Sequence, residues 1–204
     1  MQKRVLTIHD VSCVGRCSLT VALPILSAAG FETSVLPTAL LSTHTGEFTG
    51  YTNLDLTEEM RRIYRHFLTL PMHFDALYSG FLGSFEQIAL VEEVFRTYHQ
   101  PGTLLLVDPV MADHGRLYAT YTPQMAEGMG RLCRMADVIV PNLTEASILL
   151  GESFDPAPSA ERVKQMLRDL CRKFECRIAI ITGPEAARPG RERLRGYYRA
   201  LREH

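Results

Sequence analysis

Leu104-Leu105-Leu106-Val107 runs into Asp108-Pro109-Val110-Met111, and Val138-Ile139-Val140 runs into Pro141-Asn142-Leu143-Thr144-Glu145. Each stretch opens as an apolar run with little polar alternation, the pattern of a strand buried on both faces. Each stops at a carboxylate, or at a Pro-Asn pair with a carboxylate close behind. Open α/β sheets gather their ligand chemistry there, at the carboxyl ends of the strands. Two acidic groups with little basic charge beside them suit a magnesium-bound phosphate better than a bare anion.

Outward from these two stretches, strand-like and helix-like segments alternate along the chain. Short runs rich in Val, Ile, Leu or Tyr predict strands at 4–9, 33–39, 74–79, 103–107, 137–141 and 177–182. Helical stretches fall near 17–29, 56–70, 84–99, 121–134, 143–150 and 159–175. Asp55 with Glu58, and Ser84 with Gln87, have capping-box spacing. In the last helix Val163, Met166, Leu167, Leu170, Cys171 and Phe174 form one apolar stripe to face a sheet. Pro24 lies inside a helical pattern, so that helix is expected to kink or to begin later. Repeated strand–helix units predict an α/β domain with a mostly parallel sheet and right-handed crossovers.

The chain has 204 residues, enough for one domain with a proper core. A net charge of −1 argues against non-specific nucleic-acid binding. No signal-peptide cleavage site and no apolar run near 18 residues is present, so neither export nor a membrane span is expected. The five cysteines match no common zinc spacing and read as reduced thiols of a cytoplasmic protein. From Arg188 to His204 the composition changes to six arginines against two glutamates. This segment reads as a solvated terminus or as a basic patch for an acidic partner.

An Asp-Pro turn would account for Asp108 by itself, and a helix cap for Asn142-x-x-Glu145. Together the two suit magnesium held through water at a phosphate. Ser42-Thr43-His44-Thr45-Gly46 is either an ordinary polar loop or a set of hydroxyl, imidazole and backbone donors for a ligand. Ser79-Gly80-Phe81-Leu82-Gly83-Ser84 is a strand-to-helix turn whose Phe81 belongs either to the core or against a flat ring. His9-Asp10 ends the first strand, which points Asp10 to the same edge as Asp108. The chain contains no GxxxxGK[ST], GxGxxG or GxSxG, so P-loop, dinucleotide-binding and serine-hydrolase readings lack support.

These stretches resemble the pyridoxal/pyridoxamine kinases, the vitamin-kinase branch of the ribokinase-like superfamily. The resemblance rests on Ile8-His9-Asp10 with Gly15-Arg16-Cys17-Ser18-Leu19-Thr20, on Leu41 to Gly46, and on Ser79 to Ser84 with Glu86-Gln87. Asp108 to Met111, Pro141 to Glu145 and Ile180-Ile181-Thr182-Gly183 complete it, in order, from residue 4 to about 183. It implies a three-layer α/β/α ribokinase-like fold that transfers the ATP γ-phosphate to the 5′-hydroxyl of a B6 vitamer. By position Asp10 would meet the pyridine substrate, and Thr45 its polar substituents, with His44, Gly46 and Phe81 lining that end. Asp108 and Glu145 would serve magnesium and ATP, with Val140 and Thr182 beside the nucleotide. A homodimer is the family tendency. In such a reaction the protein mostly positions groups and neutralises charge.

Three departures accompany the resemblance. The family carries a Gly-x-Gly-Asp loop beyond the strand that here ends at Thr182-Gly183, whose amides form an anion hole and whose aspartate is the general base. No Gly-x-Gly-Asp occurs in this chain, so no catalytic base is assigned. Cys13 and Ala112 stand where the family tends to have glycine. The expectation is a kinase domain over 1–183 that lacks the C-terminal part of the fold, followed by a divergent Arg-rich tail over 184–204. A hydroxymethylpyrimidine kinase of the same superfamily and a non-catalytic vitamer binder or partner subunit stand as alternatives.

Overall fold

The computed structural model describes residues 2–15, 17–45 and 48–182. Gly46 of the polar loop, Gly183 and the Arg-rich segment 184–204 lie outside them. The chain folds as an α/β domain with helices flanking a seven-stranded sheet. Its strands are β1 (Arg4–Ser12), β2 (Glu32–Leu41), β3 (Asn53–Asp55), β4 (Ala76–Ser79), β5 (Leu104–Val107), β8 (Val138–Ile139) and β9 (Ile178–Ala179). The order across the sheet is β3-β2-β1-β4-β5-β8-β9, and every pair is parallel except β2 with β3. A separate hairpin, β6 (Ala112–Asp113) with β7 (Arg116–Leu117), follows β5. The helices are α1 (Leu19–Ala28), α2 (Thr57–Phe67), α3 (Phe85–Tyr98), α4 (Pro123–Met135), α5 (Leu143–Leu150) and α6 (Ala160–Phe174). No described helix is long and apolar enough to cross a membrane.

One face of the sheet carries the main core. Leu6, Ile8, Leu36, Leu77, Leu105, Val107 and Ile139 point into a cluster with Met60, Ile88, Val94, Phe95, Met129, Leu170 and Phe174. The α6 stripe contributes Met166, Leu170 and Phe174 as its fully buried members, with Val163, Leu167 and Cys171 at its margin. The opposite face is covered by α1 over β1 and β2. Farther along, Leu104, Ile178 and Ile180 remain 37%, 51% and 46% exposed.

Four local details depart from the sequence reading. Strand β3 and the β6–β7 hairpin were not expected, since two or three residues carry no readable period. Helix α1 begins at Leu19 and contains Pro24, an exposed position. Asp55 makes no capping box with Glu58: Leu56 is the N-cap, and Asp55 Oδ1 instead accepts from the Thr57 amide at 2.8 Å. Ser84 does cap α3, accepting from the Gln87 amide at 3.1 Å, but the Gln87 side chain accepts from Gly83 N and donates to Thr38 O, Asp55 and Thr57. Gln87 therefore ties β2, α2 and α3 together where the Gly80–Gly83 turn passes.

Candidate active site

All strand ends relevant to the site lie on one edge because β1, β2, β4, β5, β8 and β9 are parallel. The chain leaves β1 toward β2 on one side and returns to β4 on the other. The switch point therefore falls between β1 and β4, where open α/β sheets form their ligand crevice. Along this edge come the 42–45 loop, Asp10, the Gly80–Gly83 turn, Asp108, then Val140 and Thr182. Strands lie about 4.8 Å apart, which puts β1 and β5 roughly 10 Å from each other.

Asp10 is 4% exposed. Ser18 Oγ donates to its Oδ1 at 2.5 Å, and Ser12 Oγ donates to its Oδ2 at 3.2 Å. Neither serine is marked by a helical or strand period, though Ser18 lies in the Gly15–Thr20 stretch and at the N-cap position of α1. On the neighbouring loop the His44 amide donates to Val14 O at 3.1 Å, and the His44 ring meets Phe48 edge-on at 5.1 Å. Gly15, at φ 130°, lets that ring approach: a Cβ there would lie 2.5 Å from His44 Cδ2. Thr45 is exposed beside it. Phe81 is part-buried against the core, with Tyr121 at 6.2 Å, and its carbonyl accepts from Thr38 Oγ1. Core packing is thus the contact its ring makes among the described residues.

Beneath the turn sits His9, 3% exposed, its ring 4.4 Å from Tyr78 in an edge-on contact. Burial pushes its imidazole down to about 4, so it is neutral. A Cβ on Gly80 would meet His9 Cδ2 at 2.5 Å. The turn glycine is therefore required by a ring below it.

At the other end, Glu145 is 2% exposed and completes a capping box with Asn142 at the start of α5. Its Oε2 accepts from Asn142 N at 2.7 Å and its Oε1 from Met111 N at 3.1 Å. Asn142 Nδ2 donates to Ala112 O at 2.8 Å, and Gly115 N donates to Thr144 Oγ1 at 3.0 Å. The β6–β7 hairpin is thereby pinned over the helix N-terminus, with Asp108 just before it. Burial raises the Asp108 carboxyl to about 7. Burial, then the Asp108 charge, raises Glu145 to about 8 against the pull of its backbone donors. Neither carboxyl has an ion-pair partner among the described residues. Two desolvated carboxyls without a protein cation fit magnesium nearby, since a divalent cation favours the ionised form of both. With both Glu145 oxygens already accepting backbone donors, contact through water suits the site better than direct ligation, as magnesium commonly retains several waters. Val140 N donates to Val107 O and Thr182 N to Pro141 O, which sets both residues at the β8–β9 end of the same edge.

Residues 24–196 match the phosphomethylpyrimidine kinase family. The thiamine biosynthesis multifunctional protein ThiED of Corynebacterium efficiens is 30% identical over 194 residues, 91% of this chain and 25% of that protein. The pyridoxal kinase PdxY of Vibrio vulnificus is 34% identical over 153 residues, 70% of this chain and 51% of that one. A Bacteroides thetaiotaomicron crystal structure, assigned as a phosphomethylpyrimidine kinase and solved with pyridoxal, is 44% identical with a TM-score of 0.80. It covers 85% of this chain and 60% of that one. Pyridoxal kinase from Lactobacillus plantarum is 32% identical with a TM-score of 0.80, over 91% of this chain and 65% of that one. The chain thus spans between 25% and 65% of the length of these relatives. Matched over residues 24–196, the chain belongs to the phosphomethylpyrimidine kinase family, in the ribokinase-like fold it shares with pyridoxal kinases.

Proposed function

We propose that this chain binds a B6 vitamer and Mg-ATP for transfer of the γ-phosphoryl group to the vitamer 5′-hydroxyl. The observation that carries the reading is the common edge: Asp10 stands about two strand spacings from Asp108, and Glu145 follows the next strand at the start of α5. Asp10 would meet the pyridine ring, with His44, Thr45 and Gly46 beside it and Phe81 at the wall. Asp108 and Glu145 would hold magnesium through water, and Val140 and Thr182 would flank the nucleotide. Bound magnesium would neutralise charge on the transferring phosphates. The protein's own part is to fix the ring and the phosphates along one edge and to exclude water.

No Gly-x-Gly-Asp occurs in the sequence as given, so none of its residues is assigned as the family's general base. Loss of a general base typically lowers rate by about 10²–10⁴. By itself the chain is therefore expected to bind both ligands and turn over slowly, which also keeps alive a binder or partner-subunit role. The family match and the ThiED relative favour a second substrate, hydroxymethylpyrimidine. We further propose a cytoplasmic homodimer.

The test is a phosphotransfer assay with pyridoxal, pyridoxamine and hydroxymethylpyrimidine in parallel, beside equilibrium binding of each. Saturable vitamer binding with slow Mg-ATP-dependent turnover supports the reading. Binding of hydroxymethylpyrimidine alone would replace the substrate, and binding of none would end the proposal.

A further inference from the structure

Ser18 occupies the N-cap position of α1 yet makes no cap bond. Ser84, Thr122, Asn142 and Ser159 hold the same position in α3, α4, α5 and α6, and each accepts an amide of the first turn. Ser18 also has φ 50° and ψ −132°, an unfavourable backbone for any residue but glycine. It gives up its cap and accepts strain, and what it gains is the 2.5 Å bond to Asp10 Oδ1. Ser12 holds Oδ2 from the other side. The groups that reach Asp10 therefore both donate, and the carboxyl is fixed in one orientation with its remaining lone pairs free to accept.

We infer that Ser18 is a positioning residue that holds Asp10 as an acceptor, so that the site selects a heterocycle whose ring nitrogen carries a proton. The inference rests on the proposed contact between Asp10 and the pyridine ring. A neutral pyridine nitrogen is itself an acceptor and would set lone pair against lone pair. A pyridinium N–H makes a charge-assisted bond to the same oxygen. The 3-hydroxypyridine of a B6 vitamer meets this demand readily, because its phenol proton can pass to the ring nitrogen.

The experiment titrates the full chain with pyridoxine and follows the ultraviolet spectrum of the bound vitamer, which distinguishes ring-protonated from neutral forms. Ser18→Gly removes the hydroxyl while relieving the backbone, since glycine tolerates positive φ. It is expected to bind pyridoxine about tenfold more weakly, the worth of one hydrogen bond to a charged group. The spectrum of the remaining complex should move toward the neutral-ring form. Asp10→Asn, which keeps the shape and adds a donor, should shift the spectrum the same way and farther. Unchanged affinity and spectrum in Ser18→Gly overturn the inference. So does weaker binding with the spectrum unmoved, the mark of a merely structural role. Should Ser18→Gly fail to fold, an unmoved Asp10→Asn spectrum overturns the inference and a shifted one supports it. An unaltered chain that binds no pyridoxine overturns the functional reading, and the inference with it.

Discussion

Raising the pH through neutrality should weaken this fold, and Asp108→Asn should protect it. Asp108 and Glu145 are lifted to about 7 and about 8, chiefly by burial. A carboxyl raised on folding holds a proton that the unfolded chain has released. Its contribution is full below the unfolded value and is lost as pH rises through the folded one. Buried His9, lowered from 6.5 to about 4, acts in the opposite sense, but only below its unfolded value. Between about pH 6.5 and about pH 8 the carboxyls therefore act without opposition from His9. The Asp108 charge helps to raise Glu145, so the two carboxyls titrate as a coupled pair, and one proton is counted. One proton over about one and a half pH units corresponds to about 2 kcal/mol, or about 4–8 °C in Tm for a domain of this size. Thermal unfolding followed by circular dichroism should show that loss in the unliganded chain. Added magnesium and ATP should reverse part of it by binding the folded state. Asp108→Asn removes one of the two charges and should be more stable than the unaltered chain at about pH 8, by roughly 1 kcal/mol or more, while losing the Mg-ATP effect. A Tm that is flat or rising over this interval, or an Asp108→Asn variant less stable at its upper end, would refute the reasoning.

Glu145→Ala should cost about 2–4 kcal/mol in urea unfolding, because it orphans the buried amides of Met111 and Asn142; Glu145→Gln, which keeps an acceptor, should cost less, and equal losses would count against the pinning of the hairpin. Gly80→Ala drives a methyl into the His9 ring and should cost about 1–3 kcal/mol, with Gly80→Ala/His9→Ala recovering part of it; strictly additive losses would show that the two do not touch. The exposed apolar strip of Leu104, Ile178 and Ile180 should drive self-association on sizing columns, and Ile178→Lys with Ile180→Lys should shift the chain toward monomer; a monomer at high concentration without these changes would remove that strip as an interface.

By itself the sequence determined the fold class and the order of the main strands, but not their ends: β1 runs past Asp10 to Ser12, and β8 and β9 are only Val138–Ile139 and Ile178–Ala179. Apolar runs such as Leu104–Val107 need burial on both faces, and a parallel sheet supplies it. The Asn142-x-x-Glu145 box was legible for the same local reason, since a cap is set by a spacing of three residues. The short β3 strand and the β6–β7 hairpin were not legible, because their pairing comes from the neighbours they lie against. Tertiary structure alone decided that Glu145 also receives the Met111 amide, 34 residues away in sequence, and that Asp108 shares its dry environment with no ion-pair partner among the described residues. It decided as well that His9 fills the space under Gly80, and that Ser18 turns from its helix to Asp10 through a positive φ. Helical and strand periods record which side of an element is buried. They hold no record of which hydroxyl meets which carboxylate, because that depends on how separate elements are packed.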